Sequence, residues 1–178
     1  LGCTVIDSSC YNNTTRGIQV GEGSTVSRCS AHNNGDRGIS AANGCTISEC
    51  TVNFNDGIGG IVGTIGVSIT NCTARSNTGI GISADLRAVI RGCASSGNGS
   101  HGIQTVAGSV LDCTTADNAS NGIDVSGRCT VRGCTSLSNT GAGIAASNDN
   151  LLTDNSCATN ARGFDVTSTR NIIIRNSC

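Results

Sequence analysis

A Gly-Ile or Gly-Phe step recurs eight times along the chain: Gly17-Ile18, Gly38-Ile39, Gly60-Ile61, Gly81-Ile82, Gly102-Ile103, Gly122-Ile123, Gly143-Ile144 and Gly163-Phe164. The spacings are 21, 22, 21, 21, 20, 21 and 20 residues. Cysteine keeps the same rhythm at Cys10, Cys29, Cys50, Cys72, Cys93, Cys113, Cys134, Cys157 and Cys178. Asn follows six of these cysteines by five residues, at Asn34, Asn55, Asn77, Asn98, Asn118 and Asn139. Val or Ile precedes the same six by three, at Val26, Ile47, Ile69, Ile90, Val110 and Val131. Four markers holding one register over most of the 178 residues describe a solenoid, in which no single repeat can bury its own apolar face.

Within each repeat the apolar period is two. Ile103 alternates with Gln104, Ile123-Asp124-Val125 repeats the pattern, and Cys45 shares a face with Ile47 across Thr46. That is strand alternation with one buried side, and no segment carries helical spacing. The Leu-x-x-Leu-x-Leu frame of a leucine-rich horseshoe is also missing. The expected fold is therefore all-β: a right-handed, single-stranded parallel β-helix over residues 1–178, with eight or nine coils of about 21 residues and three short strands per coil.

Composition fits a narrow interior. There are 25 Gly and 12 Cys against two Phe, one Tyr and no Trp, Met or Pro. Pro would remove a ladder donor. All eleven basic residues are Arg, the net charge is −1, and stacking aromatics are scarce, so nothing points to nucleic acid. No apolar stretch reaches the roughly 18–20 residues of a membrane span. The chain opens at Leu1 without a signal peptide, which suggests a mature form or a piece of a longer polypeptide.

The frame Asn-x-x-x-Gly-Ile-x-Val followed by Val/Ile-x-x-Cys-Thr resembles the repeats of carbohydrate-binding and sugar-hydrolysing parallel β-helix proteins. These include pectate lyases, polygalacturonases and alginate epimerases. The resemblance implies the fold along the whole chain and carries little about activity, because the shared residues are those that build the rod. In the polygalacturonase-like members it implies a catalytic Asp just before the Gly. Here those positions hold Asn121 and Arg162, and the family's paired Asp-Asp and Gly-His motifs are missing as well.

The remaining candidates follow from the register. The cysteine column reads best as small buried packing; stacked disulfides and metal are the alternatives, and the pairs Cys45/Cys50 and Cys129/Cys134 sit four coils apart. The asparagines are expected to occupy left-handed bends and to form an amide ladder. That use competes with glycosylation of the sequons at Asn98 and Asn118. The recurring Gly before Ile is expected at a corner with unusual dihedrals.

Asp124 and Asp165 should project from one sheet two coils apart, at the upper edge of the carboxylate separation of inverting glycosidases. With Arg162 they are the catalytic candidates, against a reading as solvated surface carboxylates. Asn148-Asp149-Asn150 is a candidate Ca²⁺ loop. His32 and His101 fall at unlike places in their coils and read as surface residues. A hydroxyl column at Thr25/Ser27, Thr46/Ser48 and Ser68/Thr70 breaks at Val89/Arg91.

The expected function is a non-catalytic structural or binding module, extracellular or at the cell surface. Its expected partners are polysaccharide or copies of itself stacked end to end. A carbohydrate-active enzyme (lyase, glycoside hydrolase or epimerase-like) is the alternative.

Overall fold

The computed structural model describes residues 2–178. The described residues contain strands and turns and no helix. Coil 6 is representative, with strands Ser109–Leu111, Thr114–Ala116 and Ile123–Ser126. The equivalent strands of successive coils pair in parallel and make three sheets of nine, eight and eight strands. Eight coils are complete, and Ile172–Ile174 opens a ninth on the first sheet.

The register is the one the repeat dictates. On the third sheet Ile82, Ile103, Ile123 and Ile144 pair in sequence. On the first, Val26, Ile47, Ile69, Ile90, Val110, Val131 and Leu152 do so. All of these side chains are fully buried. Sealing one Val, Ile or Leu from water stabilises by roughly 1.5–3 kcal/mol, so the two columns carry most of the apolar driving force. The second sheet contributes smaller inward residues: Ala31, Val52 and Ala74, then Ser95, Thr115 and Ser136. The buried hydroxyls are satisfied. Ser95 Oγ donates to Gly102 O at 2.7 Å, Ser136 Oγ donates to Gly143 O at 2.8 Å, and Thr115 Oγ1 meets Ser136 Oγ at 2.8 Å.

Three corners join the sheets, each turning through a left-handed residue followed by an inward residue, and at two of the corners those inward residues form side-chain ladders. The asparagine ladder stands at the corner between second and third sheets. Each Nδ2 donates to the next Oδ1, as in Asn55 to Asn77 (2.9 Å), Asn98 to Asn118 (2.9 Å) and Asn118 to Asn139 (2.9 Å). The same Oδ1 also accepts the backbone N–H of the coil before, for example Asn77 N to Asn98 Oδ1 at 3.1 Å. Asn13 and Asn160 extend the column at its two ends.

Two conformational expectations are corrected. The ladder asparagines do not take positive φ; the residue before each does, as at Asn33 (54°), Phe54 (54°), Ser76 (54°), Asp117 (55°) and Ser138 (52°). The Gly before Ile also lacks positive φ. It is there because the chain passes too close to its neighbours: a Cβ at Gly122 would overlap Ser136 Oγ and lie 2.7 Å from Asn139 Nδ2.

The single nine-member cysteine column is corrected too. Cys29, Cys50, Cys72, Cys93, Cys113 and Cys134 occupy the corner between first and second sheets. Cys10, Cys157 and Cys178 lie two residues further on, inside the second sheet: Cys10 pairs with Ala31, Cys157 with Ser136, and Cys178 follows Ser177, which bridges Ser156. The irregular intervals of 19 residues before Cys29 and 23 after Cys134 mark the change of column. Asn155 and Asn176 continue the corner in the last two coils.

That continuation shows what the thiols do. Cys134 Sγ donates toward Val110 O (3.5 Å), and Asn155 Nδ2 donates to the equivalent Val131 O (3.0 Å). Cys113 Sγ accepts from Cys93 N at 3.5 Å, and Asn155 Oδ1 accepts from Cys134 N at 2.9 Å. The corner cysteines therefore form a hydrogen-bonding ladder as well as apolar filling. All twelve cysteines are unpaired by disulfides. Cys45 and Cys129 are buried at the third corner, across the coil from Cys50 and Cys134.

Candidate functional site

The outward positions of the third sheet carry the polar side chains singled out above. Gln104, Asp124, Ala145 and Asp165 stand on successive rungs of one column. The structure thus brings Asp124 and Asp165 onto one face, two coils apart with Ala145 between them. A shallow depression of about 220 Å³ lies there, lined by Asp124, Ser126, Ala145, Ser147, Asp165 and Thr167. The short outward side chain of Ala145 leaves the hollow, and Ser126, Ser147 and Thr167 form a hydroxyl row along its side.

Both carboxylates are held by donors. Gln104 Nε2 donates to Asp124 Oδ2 at 3.1 Å and Asn121 Nδ2 donates to Asp124 Oδ1 at 3.2 Å. Asn121 Oδ1 in turn accepts from Ala142 N at 2.9 Å, which fixes the amide. Arg162 Nη1 donates to Asp165 Oδ2 at 2.8 Å in an ion pair whose arginine side chain is 69% exposed. Asn121 and Arg162 stand where the resemblance would put a catalytic Asp, and here each orients a carboxylate three residues on.

The other candidates separate. Asp149 is bound by Arg170 (Nε to Oδ1, 2.7 Å), and Asn150 is consumed in the corner ladder, accepted by Asn171 Oδ1 at 3.0 Å. The candidate Ca²⁺ loop is thereby neutralised from within, and no cluster of three or more His, Cys, Asp or Glu suited to a metal occurs among the described residues. His32 stacks on Tyr11 on the second sheet, ring centroids 5.1 Å apart and 4° from parallel. His101 is half-buried one rung before Asn121, with Nδ1 enclosed and unpartnered.

The hydroxyl column that breaks on the first sheet has a longer counterpart on the second, Ser9, Ser30, Thr51, Thr73, Thr114, Thr135 and Ser156, interrupted once by Ala94. The recurring Thr after Cys was its sequence signal. At the corners, Arg28 and Arg175 hold the carboxyls of Asp7 and Asp154 below the usual range through paired hydrogen bonds.

Residues 60–150 match the protein family described as a right handed beta helix region. No curated protein matches the chain by sequence. Among solved structures, a double mutant of the periplasmic alginate epimerase AlgG is similar with a TM-score of 0.84 and 15% identity, over 99% of this chain and 50% of that one. The A-module of the Azotobacter vinelandii mannuronan C-5 epimerase AlgE4 gives 0.80 and 15%, over 96% and 57%. A glycoside hydrolase gives 0.53 and 11%, over 91% and 38%. The chain thus spans about half the length of the epimerase structures it resembles, and the likeness is one of fold. With the family match covering just over half of its residues, the chain belongs to the right-handed β-helix family.

Proposed function

We propose that the protein is a non-catalytic β-helix module that binds polysaccharide along the outer face of its third sheet, outside the cell or at its surface. The observation that carries this reading is the open hollow where Asp124 and Asp165 flank Ala145 beside the hydroxyls of Ser126, Ser147 and Thr167. Carboxylates and hydroxyls in register along a flat sheet offer acceptors and donors to the hydroxyls of a sugar chain lying across the rungs. The acidic face favours neutral or amino sugars over polyuronates. Solved structures with the same fold carry polysaccharide-modifying names, which supports the ligand class, and one of them is named as periplasmic, which supports export.

An enzyme is the second reading, favoured by the two carboxylates, which strand spacing puts about 9.6 Å apart. Against it, the hollow is shallow, and both carboxylates are already tied by neighbouring donors. The test is binding of neutral, amino-sugar and uronate oligosaccharides, with the products examined for cleavage. Binding that is lost in Asp124→Asn and Asp165→Asn, without turnover, is the expected result. Turnover that disappears in either variant would replace the module with an enzyme.

A further inference from the structure

Five of the eleven arginines are in ion pairs: Arg16, Arg28, Arg162, Arg170 and Arg175. Arg37 donates to Ser40 Oγ at 3.3 Å. Among the described residues the other five, Arg75, Arg87, Arg91, Arg128 and Arg132, have neither an ion pair nor a side-chain hydrogen bond, and all five are exposed. Four of these five share one face. Arg91 and Arg132 are outward residues of the first sheet, on either side of Leu111 in one column. Arg87 and Arg128 stand at the corner immediately before the same two strands, at φ of 63° and 58°. Their corner column holds Gly23, Gly44 and Gly66 in earlier coils, the residue that takes this backbone conformation at least cost.

We infer that this face is a second binding site, for a linear polyanionic glycan carrying carboxylate or sulfate groups. Strand spacing sets the two arginine pairs about 9.6 Å apart along the axis, and the four-residue step between the members of each pair allows at most about 13 Å across it. The floor between them is Val89, Ser109, Thr130 and Leu111. Leu111 is only 9% exposed, as expected if the arginine stems on either side cover it.

The acidic neighbours are few. Asp112 follows Leu111 at the corner and Asp85 lies two residues before Arg87, while Asp149 and Asp154 are already bound by Arg170 and Arg175. In a chain of net charge −1, four unpaired guanidiniums on one flat face concentrate positive potential there. Guanidinium forks match the planar or tetrahedral oxygens of carboxylate and sulfate. The open face suits a polymer lying across several coils. No aromatic side chain lies on it, so bases would find no stacking partner. The site is separate from the third-sheet hollow, whose carboxylates would repel the same ligand.

The experiment measures binding of the 178-residue chain to dextran sulfate, polygalacturonate, neutral dextran and duplex DNA, at low and moderate salt. The expected result is binding to one or both anionic glycans, weakening as salt rises, with any dextran binding belonging to the third-sheet hollow and unchanged by salt or by loss of the arginines. The variant carrying Arg87→Gly, Arg91→Gln, Arg128→Gly and Arg132→Gln should bind roughly tenfold or more weakly, since charge-assisted contacts are lost at four points. Arg75→Gln, which removes an unpaired arginine from another face, should stay within about twofold. Asp124→Asn should leave this binding intact, which separates the two sites. The inference is overturned by absence of binding at low salt, by an equal loss in Arg75→Gln and the fourfold variant, or by DNA binding as tight as the glycan.

Discussion

Replacing Asn98 with Ala tests the ladder at its centre. Asn98 is 1% exposed, and its Oδ1 accepts both the backbone N–H of Asn77 (3.1 Å) and Asn77 Nδ2 (3.0 Å). Its Nδ2 is shared among Asn118 Oδ1 (2.9 Å), Ser95 Oγ (3.1 Å) and Ala74 O (3.3 Å). Alanine leaves two N–H groups of Asn77 enclosed without partners, the backbone N–H and one of the two on Nδ2, whose other hydrogen stays with Val52 O at 3.2 Å. Asn118 Oδ1 keeps its bond from the backbone of residue 98, at 3.1 Å, so the damage lies on the Asn77 side. Each orphaned buried donor costs about 1–3 kcal/mol, giving about 2–6 kcal/mol against a typical domain stability of about 5–15 kcal/mol.

Urea unfolding should show the midpoint falling with the slope unchanged, and hydrogen exchange should show the Asn77 amide losing protection. Thr114→Ala, at an exposed second-sheet position, should cost no more than about 0.5 kcal/mol. A loss below about 1 kcal/mol in Asn98→Ala, with the Asn77 amide still protected, would mean water or a backbone shift replaces the amide, and the ladder argument would fail.

Three further outcomes follow from the interior. Gly122→Ala should destabilise by several kcal/mol through overlap with Ser136 and Thr115, while Gly127→Ala, at φ 66° with open space around it, should cost only about 1 kcal/mol; similar melting losses would contradict the close-approach reading. Thiol titration of the native protein should detect chiefly the exposed Cys3 and Cys178 and the half-buried Cys10, with all twelve reacting in denaturant; rapid native reaction of most thiols would show that the corners are open. Burial raises the thiols of Cys29 and Cys129 and pushes Cys157 from 9.0 to about 12. A thiol that holds its proton longer in the folded state contributes stability in full below its unfolded value and loses it as pH climbs toward the folded one. Urea midpoints should therefore fall between about pH 9 and pH 12, and a flat profile in that window would refute the sign.

The repeat made the rod legible because every marker sits on it once per coil. The spacing of Gly17-Ile18 and its seven successors gives coil length, inward face and strand pairing together. What spacing cannot show is which of two adjacent inward columns a residue enters. Cys10 and Cys157 kept the approximate rhythm while standing two residues out of register, and only the local strand pairing reveals it. Dihedrals were likewise hidden. The left-handed bend falls on Asn33, Phe54, Ser76, Gly97 or Asp117, which share no single identity, while the recurring Asn after each is selected by its hydrogen bonds. For the site, register placed Asp124 and Asp165 on one face correctly. The partners Gln104, Asn121 and Arg162, and the hollow over Ala145, depend on side-chain reach that periodicity does not encode.

The ladders also bear on how such a chain can change length. Each rung touches only the rungs above and below it, and Asn55, Asn77, Asn98, Asn118 and Asn139 present the same amide upward and downward. Removing or duplicating one whole coil therefore restores every ladder at the splice, whereas a single inserted residue within a strand displaces the inward set to the outside. Interchange is not free everywhere. Ser95 and Ser136 inside the second sheet satisfy their hydroxyls within their own coils, on Gly102 O and Gly143 O, whereas Thr115 relies on Ser136 of the next coil. A copy of the Thr115 coil should therefore be accepted only where the next coil sets a hydroxyl opposite it, while the Ser95 coil already stands beside the Ala74 coil and makes no such demand.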